Sequence, residues 1–293
     1  TSRRQRQMCI RDSIQDVTQK AADADAEVTR ELRRAGINEN IGNINAVNEL
    51  LATGELMAYT RALKGKGIGS ADKSGHNHAD KNNSSKAAYI DSSEKLSDVL
   101  SGREKLEALY TNLEEAAGDE LEEAIESSLT DTDETPVDYD TFEELRISNR
   151  QIRYISNLAR KNDYRIPYVK NGKAGLINLT FLSDSSDKGK ISIKMDTEAY
   201  GELSMEAKIT GKDISLFVKQ NSNTVHPDDR SIYKSFEELE NVLKLQHGMN
   251  SVRINTVRVP DVNYVTYENS GASVPADELY RIAQSVTGVF FGK

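Results

Sequence analysis

The spacing of apolar positions changes period along this chain, from helical in the first half to strand-like in the second. Within residues 14–63, Glu27–Arg34 is rich in helix formers and Gly36 is a natural stop. Ile41, Ile44, Val47, Leu50 and Leu51 then recur at three- and four-residue steps, one stripe of a short helix. Residues 64–86 hold Gly, Ser, Asn and Lys with almost nothing to bury, and are expected to form a flexible linker. Over 87–129 the helical period returns with Leu96, Val99, Leu100, Leu106, Leu109, Tyr110 and Leu113. A second linker is expected at 130–140, around Pro136. Thr141–Glu144 and Ser235–Glu238 share the form of a capping box at a helix start. After the first of them, Leu145, Ile152, Ile155 and Ala159 continue one face.

Beyond Asp163 the apolar residues alternate: Ile177, Leu179, Phe181; Ile191, Ile193, Met195; Leu203, Met205, Ala207, Ile209; Ile214, Leu216, Val218. A two-residue turn at Gly211-Lys212, glycine first as a type II′ turn requires, sets Ile209 against Ile214, Ala207 against Leu216 and Met205 against Val218. The other face then pairs Lys208 with Ser215 and Ser204 with Lys219, which suits water, and a one-residue slip would invert both faces. A helix follows, opened by Pro227, Asp228 and Asp229, striped by Ile232, Phe236, Leu239 and Leu243, and stopped at Gly248. A strand is expected at Ser251–Val259, and Pro275 opens a terminal helix over 271–293 with Leu279, Ile282, Val286 and Val289 in phase. The predicted fold class is α+β. Helical segments and linkers come first; a domain over 141–270 then carries a small β-sheet covered by one long helix.

Composition narrows the function. The 293 residues hold 38 Lys+Arg against 47 Asp+Glu, a net charge of −9, with no Trp and one cysteine, Cys9. A lone cysteine excludes a disulfide framework and any cysteine-based zinc site. No apolar run reaches the roughly 18–20 residues that span a bilayer, so no membrane insertion is expected, and the acidic balance argues against nucleic acid as a ligand. The charge is also uneven: residues 106–145 contain fifteen Asp/Glu and no Lys or Arg, leaving 38 basic against 32 acidic residues elsewhere. That block reads as a solvated helix face running into the second linker.

The search for chemistry finds little. His76, His78 and Asp80 have metal-like spacing but sit in the Gly/Ser/Asn/Lys linker. His226 and His247 fall at helix ends, where an imidazolium suits the helix dipole and a structural role. Gly65, Gly67 and Gly69 lack the Gly-Lys-Ser/Thr ending of a phosphate loop. No nucleophile elbow occurs. The chain is therefore expected to be no enzyme and to need no cofactor or metal.

Two resemblances add to this reading. Thr1–Ser13 is similar to translated sequencing-adapter read-through at the ends of metagenome-derived reading frames, which implies a non-native segment and a missing native N-terminus. Met195–Gly201, followed by Glu202–Met205, resembles the C-terminal domain of bacterial flagellar hook-length control proteins. That domain carries Leu-x-Pro-x-x-Leu-Gly before a strand, a second strand, a long helix and a closing strand. Met195 and Tyr200 stand at the two Leu positions and Gly201 at the Gly, with Thr197 where Pro is usual. The likeness covers residues 175–260, and the first half is similar to helical regions of hook-length-like proteins of Gram-positive anaerobes. It implies a non-enzymatic protein, made in the bacterial cytoplasm and able to enter the flagellar channel. Its C-terminal domain would contact a type III export gate component and switch export from hook to filament subunits. Thr197, Tyr200, Gly201, Leu203 and Met205 are the contact residues the resemblance implies. A cytoplasmic scaffold or adaptor with the same fold is the alternative, and the oligomeric state stays open.

Overall fold

The structure is a computed structural model and describes residues 26–59, 90–130, 139–185, 188–223, 230–260, 262 and 277–291. Expectations for the first 25 residues, for the linker at 64–86 with His76, His78 and Asp80, and for Pro136, His226, Pro227–Asp229 and Pro275 lie outside them. The chain divides into two compact units, Thr1–Ala87 with Asn112–Asn157, and Ala88–Thr111 with Leu158–Lys293.

The first unit is helical, built from α1 (Ala26–Ala35), α2 (Ile41–Thr53) and parts of α4 (Arg103–Thr130) and α5 (Tyr139–Ala159). Gly36 at φ 70° ends α1, Asn40 caps α2 by accepting the Asn43 N–H at 2.9 Å, and Gly54 at φ 68° closes it. Val47 and Leu50 of the predicted stripe are buried, but Ile41 and Leu51 are exposed. Buried Gln151 joins two segments: it accepts the Met57 N–H at 2.8 Å and donates to the Ala46 carbonyl at 3.1 Å. Along α4, Leu106, Leu109, Tyr110, Leu113 and Ala117 are buried, whereas Glu115, Asp119, Glu122, Glu123 and Glu126 are exposed. The acidic block is a solvated face through these residues, as expected. Thr141 is not a cap, because α5 already begins at Tyr139.

The second unit carries α3 (Ser93–Val99) and one mixed sheet. Its strands are β1 (Asp163–Lys170), β2 (Lys173–Ser185), β3 (Lys188–Thr197), β4 (Gly201–Thr210), β5 (Asp213–Asn221) and β6 (Ser251–Val259), arranged in sequence order. All neighbours are antiparallel except β5 and β6, which run parallel because α6 (Ile232–Gln246) crosses over between them. The β4–β5 hairpin has the predicted register, with Met205 opposite Val218 and Ala207 opposite Leu216. Gly211 holds φ 58°, as the first position of a II′ turn demands. Asn171 and Gly172 at φ 50° and 75° make the I′ turn joining β1 to β2.

The fold is α+β, as the sequence predicts, but its roof has two helices where one was expected. Ile232, Phe236, Leu239 and Leu243 of α6 are buried. The terminal helix α7 (Asp277–Phe291) buries Leu279, Ile282, Val286 and Val289 in the predicted phase, together with Tyr280 and Phe290. Tyr280 packs on Phe181 with ring centroids 4.5 Å apart, and Phe290 meets the rings of Tyr200 and Phe236 edge-on. Gly189 admits α7, since a Cβ there would come within 2.8 Å of Leu279. Among the described residues, no helix is long and apolar enough to cross a membrane.

Candidate docking surface

The residues the resemblance singles out form one unit, the turn from β3 into β4. The Thr197 hydroxyl accepts the Tyr200 N–H at 3.1 Å and donates to the Gly201 carbonyl at 3.0 Å. Where a proline ring would stiffen this turn, the threonine side chain ties it. Gly201 holds φ 64°. Tyr200 turns inward: its hydroxyl lies 2.9 Å from Ser235 Oγ, and its carbonyl accepts from Gln220 Nε2 at 3.3 Å. Ser235 therefore corrects a second cap assignment. The helix starts at Ile232, and this serine is a buried interior residue whose hydroxyl meets the tyrosine. Leu203 and Met205 are buried under the roof. Of the five, Thr197, Tyr200, Leu203 and Met205 are buried and Gly201 is half-buried.

Side chains alternate across a sheet, so the neighbours of these core residues point away from the roof. There, cross-strand pairing stacks three rows over β3 to β6. One reads Lys194, Ser204, Lys219, Val257; the next Ser192, Glu206, Phe217, Asn255; the third Lys190, Lys208, Ser215, Arg253. Lys194 reaches Glu202 at 2.6 Å and Lys219 reaches Glu206 at 3.0 Å. Phe217 is 39% and Val257 38% exposed, and the Lys219 ammonium lies 5.8 Å from the Phe217 ring centre. Lys208 and Arg253 are exposed and form no ion pair among the described residues.

No protein-family model, curated protein or solved structure matches the chain.

A second constellation lies at the end of α6. His247 Nδ1 is 2.9 Å from Glu278 Oε1, and its Nε2 is 2.9 Å from Ser285 Oγ, in a cleft also lined by Arg281 and Gln246. Serine, histidine and carboxylate stand in the order of a nucleophile, its base and the group that orients the base. Ser285, however, sits mid-helix, where backbone N–H groups bond within the helix instead of pointing at a substrate. These contacts clamp the α6 terminus to α7. Among the described residues, no three His, Cys, Asp or Glu side chains converge as a metal site.

Sequence reasoning missed Phe217 and the Lys190–Lys208–Arg253 row. A large aromatic at a water-facing position of β5 was the available signal for the first. The second needed the β3–β4 register, which the turn ending at Gly201 could have supplied.

Proposed function

We propose that this chain is a non-enzymatic regulator that acts by docking its sheet unit on another protein. Its mode would be that of a flagellar hook-length control protein on a type III export gate component. The resemblance over 175–260 supplies the flagellar part of the reading. A bacterial cytoplasmic origin and passage into the flagellar channel belong to the same proposal. The observation that carries the docking part is the one-sided roof: the face of β4 to β6 turned away from α6 and α7 remains exposed at Lys208, Ser215, Phe217, Arg253 and Val257. An ordinary solvated face would be evenly polar; here the Phe217 ring shares it with Lys208 and Arg253, which form no ion pair among the described residues.

The test is direct binding of the full chain to the purified cytoplasmic domain of a flagellar export gate protein, by biolayer interferometry. Saturable binding that Phe217→Ala weakens is the expected result. Absence of binding at protein concentrations of about 100 μM would refute the export reading, since even a weak transient contact registers in that range.

A further inference from the structure

We infer that the outer edge of β6 pairs with the same edge of a second copy of this chain, joining two sheets antiparallel into one. The inference stands apart from the export reading. The two edges of the sheet are finished differently. At β1, Pro167 interrupts the run and Ile90 bridges Tyr168, the Ile90 carbonyl accepting the Val169 N–H at 2.8 Å. At β6, nine residues, Ser-Val-Arg-Ile-Asn-Thr-Val-Arg-Val, hold no proline or glycine and pair with β5 without a bulge. Of the devices that blunt a sheet edge, β6 carries only the charges of Arg253 and Arg258. Among the described residues, no second strand pairs with it.

Which backbone groups face outward follows from the ladder. The Val259 carbonyl accepts the Ser222 N–H at 2.8 Å. At two-residue steps, Val259, Val257, Asn255, Arg253 and Ser251 therefore turn their backbone groups toward β5. The N–H and C=O groups of Val252, Ile254 and Thr256 face the other way, where the described residues offer no backbone partner. Side chains along this edge are also incompletely covered. Val252 and Ile254 stand opposite Ile214 and Leu216, which are fully buried, yet are themselves only half-buried. Tyr233, exposed in the first turn of α6, lines a cleft with Thr256, Val257 and Arg258. An added strand would satisfy the backbone, cover Val252 and Ile254, and give the tyrosine ring an apolar neighbour.

The strand is complementary to itself. In an antiparallel pair of β6 strands, backbone bonding requires the outward residues of one copy to face those of the other. Full overlap of the strand then puts Asn255 on the two-fold axis, as an isologous interface demands. Ile254 of one copy meets Thr256 of the other, Arg253 meets Val257, and Arg258 meets Val252. Opposed β-branched residues favour pairing, and neither arginine faces an arginine. The two Asn255 amides meet at the axis, each with a donor and an acceptor to offer. A strand of any other sequence would have to supply this pattern; β6 already carries it.

Sedimentation velocity of the full chain from about 1 to about 300 μM should show monomer passing to dimer, weakly, because a single-strand seam is a small interface. Thr256→Pro removes an outward N–H without touching the β5 ladder and should weaken association about tenfold. Val257 is exposed, so its replacement spares the core. Val257→Arg sets like charges opposite Arg253 and should weaken the dimer several-fold, whereas Val257→Glu should tighten it several-fold. In a Cys9→Ser background, Asn255→Cys should form a disulfide dimer in oxidised glutathione, since a non-hydrogen-bonded pair brings Cα atoms to about 4.5 Å. Ser215→Cys, exposed one strand further in, should not. A chain that stays monomeric throughout overturns the assignment. If the Ile254 and Thr256 amides of that monomer also resist hydrogen exchange, the edge belongs to another segment of the same chain. Association that ignores Thr256→Pro, or that responds alike to both Val257 variants, overturns it too. Gate binding by a strictly monomeric chain would leave the export reading standing and this seam refuted.

Discussion

The Tyr200–Ser235 hydroxyl pair offers a sharp test of how the β3–β4 turn is fixed to the roof. Both groups are buried and 2.9 Å apart, one on the turn and the other inside α6. Removing the Ser235 hydroxyl strands the buried phenol, at about 1–3 kcal/mol for a buried unsatisfied polar group. The two single variants should not cost the same. In Tyr200→Phe, Ser235 can rotate to the helix carbonyl four residues back, an outlet open to serine in a helix. In Ser235→Ala, the phenol is locked by its ring against Phe290 and has no such outlet. Ser235→Ala should therefore be the costlier change, by about 1 kcal/mol. The double variant removes both polar groups together and should cost less than the two singles combined, leaving a coupling of about 1–2 kcal/mol. Urea denaturation followed by near-ultraviolet circular dichroism of tyrosine measures this, since the chain has no Trp to mask the signal. Additive single-variant costs, within about 0.3–0.5 kcal/mol, would show that the two hydroxyls do not meet and that the turn is not pinned to α6.

Three further outcomes follow from the same geometry. Lys208→Glu sets a carboxylate opposite Lys190 across β3 and β4 and should stabilise the sheet by a few tenths of a kcal/mol up to about 1 in the same denaturation assay; a destabilised variant would contradict that opposition. Gly211→Val forces a β-branched residue into φ 58° and should cost at least 1 kcal/mol, whereas Lys212→Val should cost less, both read as shifts in urea midpoint. Burial pushes the Tyr168 phenol up to about 12, and burial with the neighbouring Tyr280 raises Tyr164 as well. Unfolded tyrosines lose their protons near pH 10, so the stability these groups confer is complete below that value and is lost as pH climbs toward 12. Denaturation at stepped alkaline pH checks this, and Tyr168→Phe should flatten the decline.

What the sequence discloses about this fold depends on whether the controlling contact is local. The β4–β5 hairpin was legible down to its register because strict alternation and a glycine-first turn lie within a short stretch of chain, and each enforces the other. The β1–β2 hairpin carries an equally good Asn171-Gly172 turn, but β1 itself shows no strand signal. Asp163 to Tyr168 are all buried, so no alternation marks them, and Pro167 within the run argues against a strand unless it sits at a sheet edge, as β1 does. Ser235 misled in the opposite sense: the Ser-x-x-Glu motif is real, but the helix had already begun at Ile232, and burial against Tyr200 decides its role.

The candidate docking face was hidden for a related reason. Lys190, Lys208 and Arg253 lie on three strands, and no window of sequence shows them as one row. Each alone is an ordinary water-facing residue; only strand pairing reveals that they share one row. The residues singled out by resemblance behave in the converse way. Thr197, Tyr200, Leu203 and Met205 lie in one short stretch, and the structure places them in the turn and the core. Residues that set a turn and its core are local in sequence, while the surface that scaffold presents is written across strands. Partner specificity in this chain should accordingly follow charge changes at Lys208 and Arg253, whereas changes at Tyr200 or Leu203 should lower stability first and binding only as a consequence.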